Sequence, residues 1–203
     1  MPLARTRGVV VAGVSGSLVD VEVEVAAGLP SVGVVGLPDA SVAEVRWRAR
    51  SALASIGATW PVQRVTISLS PAEVRKVGAG LDLPIAVGVL VATGQLPPDC
   101  VDDTVLLGEL GLDGSLRPVR GALAGVIAAR QACRIVIPAQ ALAEVAGSAG
   151  VIGATDLAEV VAILRGESPG VTGHPGAGNV PSSTADLADV RGQPVARVAL
   201  EVA

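Results

Sequence analysis

Leu69-Ser-Pro-Ala-Glu-Val-Arg-Lys-Val-Gly-Ala-Gly-Leu-Asp-Leu-Pro-Ile-Ala-Val-Gly-Val-Leu90 decides how the chain is read: a strand stops, a basic glycine-containing loop follows, and a buried helix begins. Val65-Thr-Ile-Ser-Leu69 alternates apolar and polar residues with the period of a half-buried strand, and Ser70-Pro71 breaks that period. Gly78 and Gly80 free the loop for positive dihedrals, Asp82 suits the capping of exposed amides, and Pro84 is tolerated in a first helical turn. The helix then runs to about Gly94. Its Ile85, Ala86, Val87, Val89, Leu90 and Val91 are apolar nearly all round, which predicts burial between other elements.

Upstream, Gly8 to Val14 and Leu18 to Val25 read as two strands joined by a turn at Ser15-Gly16-Ser17. Strict alternation in the second puts Asp20, Glu22 and Glu24 on one face, read as a solvated sheet face. Ser31 to Val35 makes a third strand. Asp39 or Ser41 can cap a helix in which Val42, Val45, Ala49, Leu53 and Ile56 recur at helical spacing until Gly57. Downstream, Asp113-Gly114 signals a hairpin between two short strands. A helix from about Val119 to Ala132 is expected to turn Val119, Leu123, Val126 and Ile127 inward. Arg134 to Pro138 is a short buried strand, Ala139 to Ala146 a helix, Val151-Ile152 a last strand, and Asp156 caps a helix ending near Arg165. Helix after strand with such short connections means layered helices on a sheet.

The 203 residues suffice for one domain with a full core plus a tail. Hydrophobic residues make up 50% of the chain, yet it has no Phe or Tyr and only two Trp, so the core must be built from Val, Leu, Ile and Ala. The net charge of −4 gives no general attraction to nucleic acid, and any DNA or RNA contact needs a local basic patch. Cys100 and Cys133 have no metal or disulfide spacing and read as small buried or half-buried residues. No signal-peptide pattern follows Arg5 and Arg7, and Leu83 to Ala92 falls far short of the roughly twenty residues that span a bilayer. A cytoplasmic protein with no membrane partner is the expectation.

Basic residues are the candidate contacts. Arg46 and Arg50 fall together on one edge of the apolar helical stripe and Arg48 on the other; they either contact phosphate or snorkel beside the core. Lys76, the only lysine, is placed in an exposed loop, where with Arg75 and Arg64 it either touches a phosphate or neighbouring subunit or is a solvated loop charge. Arg46, Arg50, Arg64, Arg75 and Lys76 are therefore the nucleic-acid-binding candidates; no residue is a candidate metal ligand or catalyst.

After Arg165 the composition shifts. Residues 166–185, rich in Gly, Pro and Ser, read as a linker, and its His174, the only histidine, is no candidate catalyst. Residues 186–203 look like the start of a second domain that stops before it can fold. The expected organisation is a domain over 1–165, the linker, and that truncated start.

Several segments, in order, resemble one family. Gly28-Leu-Pro-Ser-Val-Gly-Val-Val-Gly-Leu-Pro-Asp39, Arg50-Ser-Ala-Leu53, Arg64-Val-Thr-Ile-Ser-Leu-Ser-Pro-Ala72, Leu81-Asp-Leu-Pro-Ile-Ala86 and Leu107-Gly-Glu-Leu-Gly-Leu-Asp-Gly-Ser-Leu-Arg-Pro-Val119 are similar to the N-terminal domain of magnesium-chelatase-like AAA+ ATPases of the YifB/ComM type. The resemblance covers about residues 4–165, and Asp186-Leu-Ala-Asp-Val-Arg-Gly-Gln193 resembles the segment opening their ATPase module.

It implies an α+β fold, a two-layer α/β sandwich like the Lon peptidase domain and a small ribosomal-subunit protein. No Gly-x-x-x-x-Gly-Lys-Ser/Thr phosphate loop occurs in the sequence, so ATP and Mg2+ are expected only for the missing module, and no cofactor for this chain. The serine of a Lon-like Ser/Lys dyad would fall on or beside Asp82 and its lysine near Leu123, so neither half is present. The function implied is a non-catalytic accessory domain in DNA processing (competence, recombination, branch migration), acting in ring assembly or DNA guidance, with a homo-oligomer as the full-length form. The other readings are a Lon-like peptidase, a metal-chelatase component and a plain protein-protein module.

Overall fold

The computed structural model describes residues 3–172, 191–195 and 198–199. His174 and most of the linker and C-terminal segment lie outside the described residues.

Alternating sequences make the first sheet strands. β1 (Leu3–Ala12) and β2 (Ser15–Ala26) form an antiparallel hairpin in which Ala12 faces Ser15. The turn is therefore Gly13-Val14, not Ser15-Gly16-Ser17, with Gly13 supplying the positive φ of 61° that a two-residue turn requires. β3 (Ser31–Val35) and β4 (Arg64–Ser70) run parallel, joined through α1 (Ala40–Ala43) and α2 (Val45–Ser55). Asp39 caps α1, accepting the Val42 N–H at 2.8 Å, and the continuous helix expected from the sequence is broken at Glu44.

From β4 the chain crosses over β2 and β1 through α3 (Asp82–Ala92) to β5 (Thr104–Leu106). This crossing explains the all-round apolar sequence: α3 packs on β1 and β2 with α2 against it, and every residue from Leu81 to Leu90 is buried. Gly88 permits the close approach, since a Cβ there would sit 2.7 Å from Val23 Cγ2. The buried Thr6 hydroxyl donates to the Pro84 carbonyl at 2.8 Å, so no polar group is stranded in this contact.

A hairpin of β6 (Glu109–Leu110) and β7 (Leu116–Arg117) follows, then α4 (Ala122–Ala128), β8 (Arg134–Pro138), a 3-10 segment (Ala139–Val145), β9 (Val151–Ala154) and α5 (Leu157–Leu164). Asp156 caps α5, accepting the Glu159 N–H at 2.9 Å. The seven-stranded sheet has the order β3-β4-β2-β1-β5-β8-β9, antiparallel at β4/β2 and β2/β1 and parallel elsewhere.

The result is an α+β sandwich. α2, α3 and α5 share one apolar cluster, and α4 with the 3-10 segment covers the other face where β1, β5 and β8 meet. Asp20 is exposed and Glu22 and Glu24 half-buried on the open remainder of that face, with Arg5 Nε 3.0 Å from Glu22. Among the described residues, no helix is long and apolar enough to cross a membrane.

Several local expectations are corrected. α4 is shorter than expected and turns Ala122, Gly125, Val126 and Ala129 inward, leaving Leu123 46% and Ile127 54% exposed. Proximity is the reason: a Cβ on Gly125 would stand 2.8 Å from Leu107 Cδ2, so no larger side chain fits at that position beneath the helix. Residues 139–145 form a 3-10 segment rather than an α-helix. Gly78 takes a positive φ of 78°, but Gly80 does not; Gly80 instead sits in close contact, 3.2 Å from Leu107 Cδ1 were it given a Cβ. Cys133 is exposed, and only Cys100 is half-buried.

Candidate nucleic-acid interface

The geometry begins with a helix that cannot rotate. Arg48 on α2 inserts its guanidinium against Asp82, whose residue is 1% exposed, with Nε to Oδ2 at 2.6 Å and Nη2 to Oδ1 at 2.9 Å. Nη2 also donates to the Ser41 carbonyl at 2.7 Å, and Asp82 Oδ2 accepts the Leu110 N–H at 3.2 Å. One ion pair thus ties α2, α3 and the β6/β7 hairpin together. Burial pushes the Asp82 carboxyl above the usual carboxylate range, against the pull of Arg48 and the Leu110 amide; the hydrogen bond to Asp82 holds Arg48 more firmly protonated than a free arginine. Asp82 is therefore not the helix cap expected from the sequence: Leu81 occupies the cap position, and the carboxylate is taken by Arg48.

With Arg48 pointing inward, the opposite edge of α2 faces out. Arg46, Trp47 and Arg50 line a groove of about 490 Å³ together with Trp60, Pro61, Val62 and Gln63 from the loop before β4 and Pro30, Ser31 and Val32 at the start of β3. The loop is held by Gln95, whose Oε1 accepts the Thr59 N–H at 2.8 Å and whose Nε2 donates to the Thr59 carbonyl at 2.9 Å. Trp60 is half-buried and packs against the core, whereas Trp47 is 57% exposed. The Arg46 guanidinium carbon lies 4.9 Å from the Trp47 ring centroid, a cation-π contact. The groove lining holds two arginines and no carboxylate among the described residues.

The five sequence candidates divide. Arg46 and Arg50 line the groove; exposed Arg64 is not in its lining, and alternation with buried Val65 turns its side chain to the other face of the sheet. Arg75 is exposed beyond the other end of β4 and does not join them. Lys76 is a correction. It is fully covered rather than exposed, its Nζ donating to the Pro71 carbonyl, while its backbone bridges to Pro38 and exchanges hydrogen bonds with Leu37 and Asp39. Desolvation lowers its pKa below the ordinary lysine value. A covered ammonium bonded to a carbonyl has no face for a phosphate.

Sequence reasoning missed Trp47 and Trp60. The signal was present: a chain that builds its core without Phe or Tyr keeps one of its two tryptophans between arginines, in Arg46-Trp47-Arg48, and the other before Pro61. A second groove, of about 500 Å³, runs beside Gly78 and Gly80 between β1 and Val119. Its ionisable lining groups are Glu109 and Arg120. Leu123, the other position relevant to a Lon-like dyad, carries an aliphatic side chain on the exposed side of α4.

Comparison with known proteins places this arrangement in a family. The model for subunit ChlI of Mg-chelatase matches residues 21–141, which include the groove, α3 and the hairpin. An uncharacterised protein of Mycobacterium tuberculosis is 44% identical over 208 aligned residues, covering 100% of this chain and 41% of its own length. The uncharacterised protein YifB of Escherichia coli is 35% identical over 100% of this chain and 40% of its own length, and competence protein ComM of Haemophilus influenzae 34% identical over 94% of this chain and 39% of its own. The chain thus spans about two fifths of the length of these relatives. With more than half of its residues matched, the chain belongs to the Mg-chelatase subunit ChlI family.

Proposed function

We propose that this chain is a non-catalytic accessory domain of a magnesium-chelatase-like AAA+ ATPase that works on DNA, and that it guides nucleic acid at the groove formed by α2, the start of β3 and the loop before β4. The observation that carries the reading is the convergence of Arg46, Arg50, Trp47 and Trp60 in one groove. In a chain of net charge −4, this is a local basic and aromatic surface of the kind nucleic-acid contact requires. The name of the Haemophilus influenzae relative, a competence protein, supports DNA as the class of partner. ATP and Mg2+ belong, in this reading, to a phosphate-loop module outside the sequence, which has no such loop of its own. Ring assembly with further copies through the full-length protein is part of the same proposal.

The peptidase reading is not adopted, because Asp82 is engaged by Arg48 and the walls of the groove beside Gly78 supply no hydroxyl, thiol or amine nucleophile among the described residues. The test is fluorescence anisotropy of a labelled single strand and a forked duplex across a salt series. Binding should weaken as salt rises, and Arg46→Ala with Arg50→Ala should flatten the log-log slope by about 1.4, taking about 0.7 per lost single-strand phosphate contact. Absence of binding at low salt, or a double variant with unchanged slope, refutes DNA guidance at this groove.

A further inference from the structure

We infer that the groove is a stacking platform for unpaired bases, so that its ligand is single-stranded nucleic acid and not duplex. This rests on the nucleic-acid reading above and sharpens it.

The placement of Trp47 is one that a core role does not explain. Trp47 contributes little to the core, being 57% exposed, and the Arg46 guanidinium lies over one face of its ring and steadies it, so a base stacks on the other face. Trp60 comes from a different element, held by the Gln95 bonds to Thr59, and lines the same groove. Two indole rings fixed by separate elements around one concavity offer planar apolar faces to planar partners. Stacking on such faces tolerates any base and is how single strands are held without reading sequence. A duplex cannot use them, because its bases are already stacked on each other and its phosphates lie outside. The charges fit the same ligand: Arg46 and Arg50 line the groove beside the rings, so a backbone running past the stacked bases meets cations along its path. Ser31 and Gln63, also in the lining, supply hydrogen-bonding groups for a base edge.

Because the chain has only these two tryptophans and no tyrosine, its intrinsic fluorescence reports on this groove alone. The full chain is titrated with oligo(dT), with an abasic strand of equal length, with a blunt duplex and with oligo(rU), following tryptophan emission and the anisotropy of a labelled strand. Oligo(dT) should quench the emission and bind at least about tenfold tighter than the abasic strand, with the duplex weaker still. Trp47→Ala should weaken oligo(dT) about fivefold or more, and Trp47→Phe should restore most of the loss. Trp47 is exposed, so the variant's fold is readily kept and checked by circular dichroism. Binding of oligo(rU) like oligo(dT), or of oligo(dT) alone, both support the platform and identify which sugar it accepts. Abasic strand or duplex binding as tightly as oligo(dT), while Arg46→Ala with Arg50→Ala still weakens it, overturns stacking but leaves DNA guidance standing. No binding by any of them removes both.

Discussion

Removing the Arg48 guanidinium should cost this fold far more than loss of a surface ion pair. Asp82 is 1% exposed, and in Arg48→Ala its carboxylate keeps only the Leu110 amide among the partners the structure gives it. Breaking a buried pair by deleting one partner typically costs about 3–5 kcal/mol, because the surviving charge is left desolvated. At about 2–4 °C per kcal/mol for a protein of this size, the melting temperature should fall by about 6–20 °C. The pH dependence gives the sharper signature. Burial already raises the folded-state pKa of Asp82, and loss of Arg48 raises it further. A carboxyl with a raised folded pKa contributes stability that is complete below its unfolded value and lost as pH rises through the folded one. The deficit of Arg48→Ala against the native chain should therefore narrow as pH falls from 7 toward 4. Urea unfolding of both proteins at each pH measures it. The double variant Arg48→Met with Asp82→Leu, which removes both charges, should recover most of the loss. A deficit below about 1 kcal/mol, the range of a surface pair, or one that stays constant across this pH range, refutes the account of Asp82 as a buried charge held by Arg48.

Other parts of the fold give separate tests. Gly88→Ala brings a Cβ to 2.7 Å from Val23 Cγ2, and such overpacking should lower stability by about 1–3 kcal/mol in thermal melts. Asp156→Ala removes the acceptor of the Glu159 N–H and should cost about 1 kcal/mol, read as a lower urea midpoint with unchanged slope. Lys76→Met should be neutral or stabilising at pH 7, since it relieves a desolvated ammonium. Its advantage should shrink as pH rises toward the ordinary lysine value, because a lowered folded pKa makes the native chain gain stability over that interval. A Lys76→Met variant that is strongly destabilised, or whose difference from the native chain does not change up to pH 10, contradicts this.

The parts of the fold legible in the sequence were those set by local pattern. Alternation along Val65 to Leu69 and along Leu18 to Val25 placed two strands and their faces, and the apolar run Ile85 to Val91 identified a helix buried on all sides. α4 was misread for a physical reason: large apolar residues were assumed to face the core, whereas the helix lies so near the sheet that Ala122 and Gly125 take those positions and Leu123 and Ile127 are displaced outward. Lys76 was misread because charge was equated with exposure, although a lysine whose ammonium reaches a carbonyl can be covered. Arg48 and Asp82 are 34 residues apart, and no local spacing joins them. The groove was half legible. Helical periodicity put Arg46 and Arg50 on one edge, but Trp60 arrives there only through the path of the loop after Gly57.

The anchor and the groove are two consequences of one helical geometry. Arg46 and Arg50, four residues apart, lie on nearly the same side of α2, and Arg48 lies almost opposite both. Three like residues therefore divide: one must enter the interior and find a buried carboxylate, and the other two must face water. Once Arg48 closes on Asp82, the rotation of α2 is set, and Arg46, Trp47 and Arg50 are fixed toward the start of β3 and the loop into β4. Every residue lining the groove belongs to the single unit β3-α2-β4, a parallel crossover whose register pairs Ser31 with Arg64. The nucleic-acid contact proposed for it thus requires neither the second groove nor the segment after α5, and the same residue that stabilises the domain also orients its binding face.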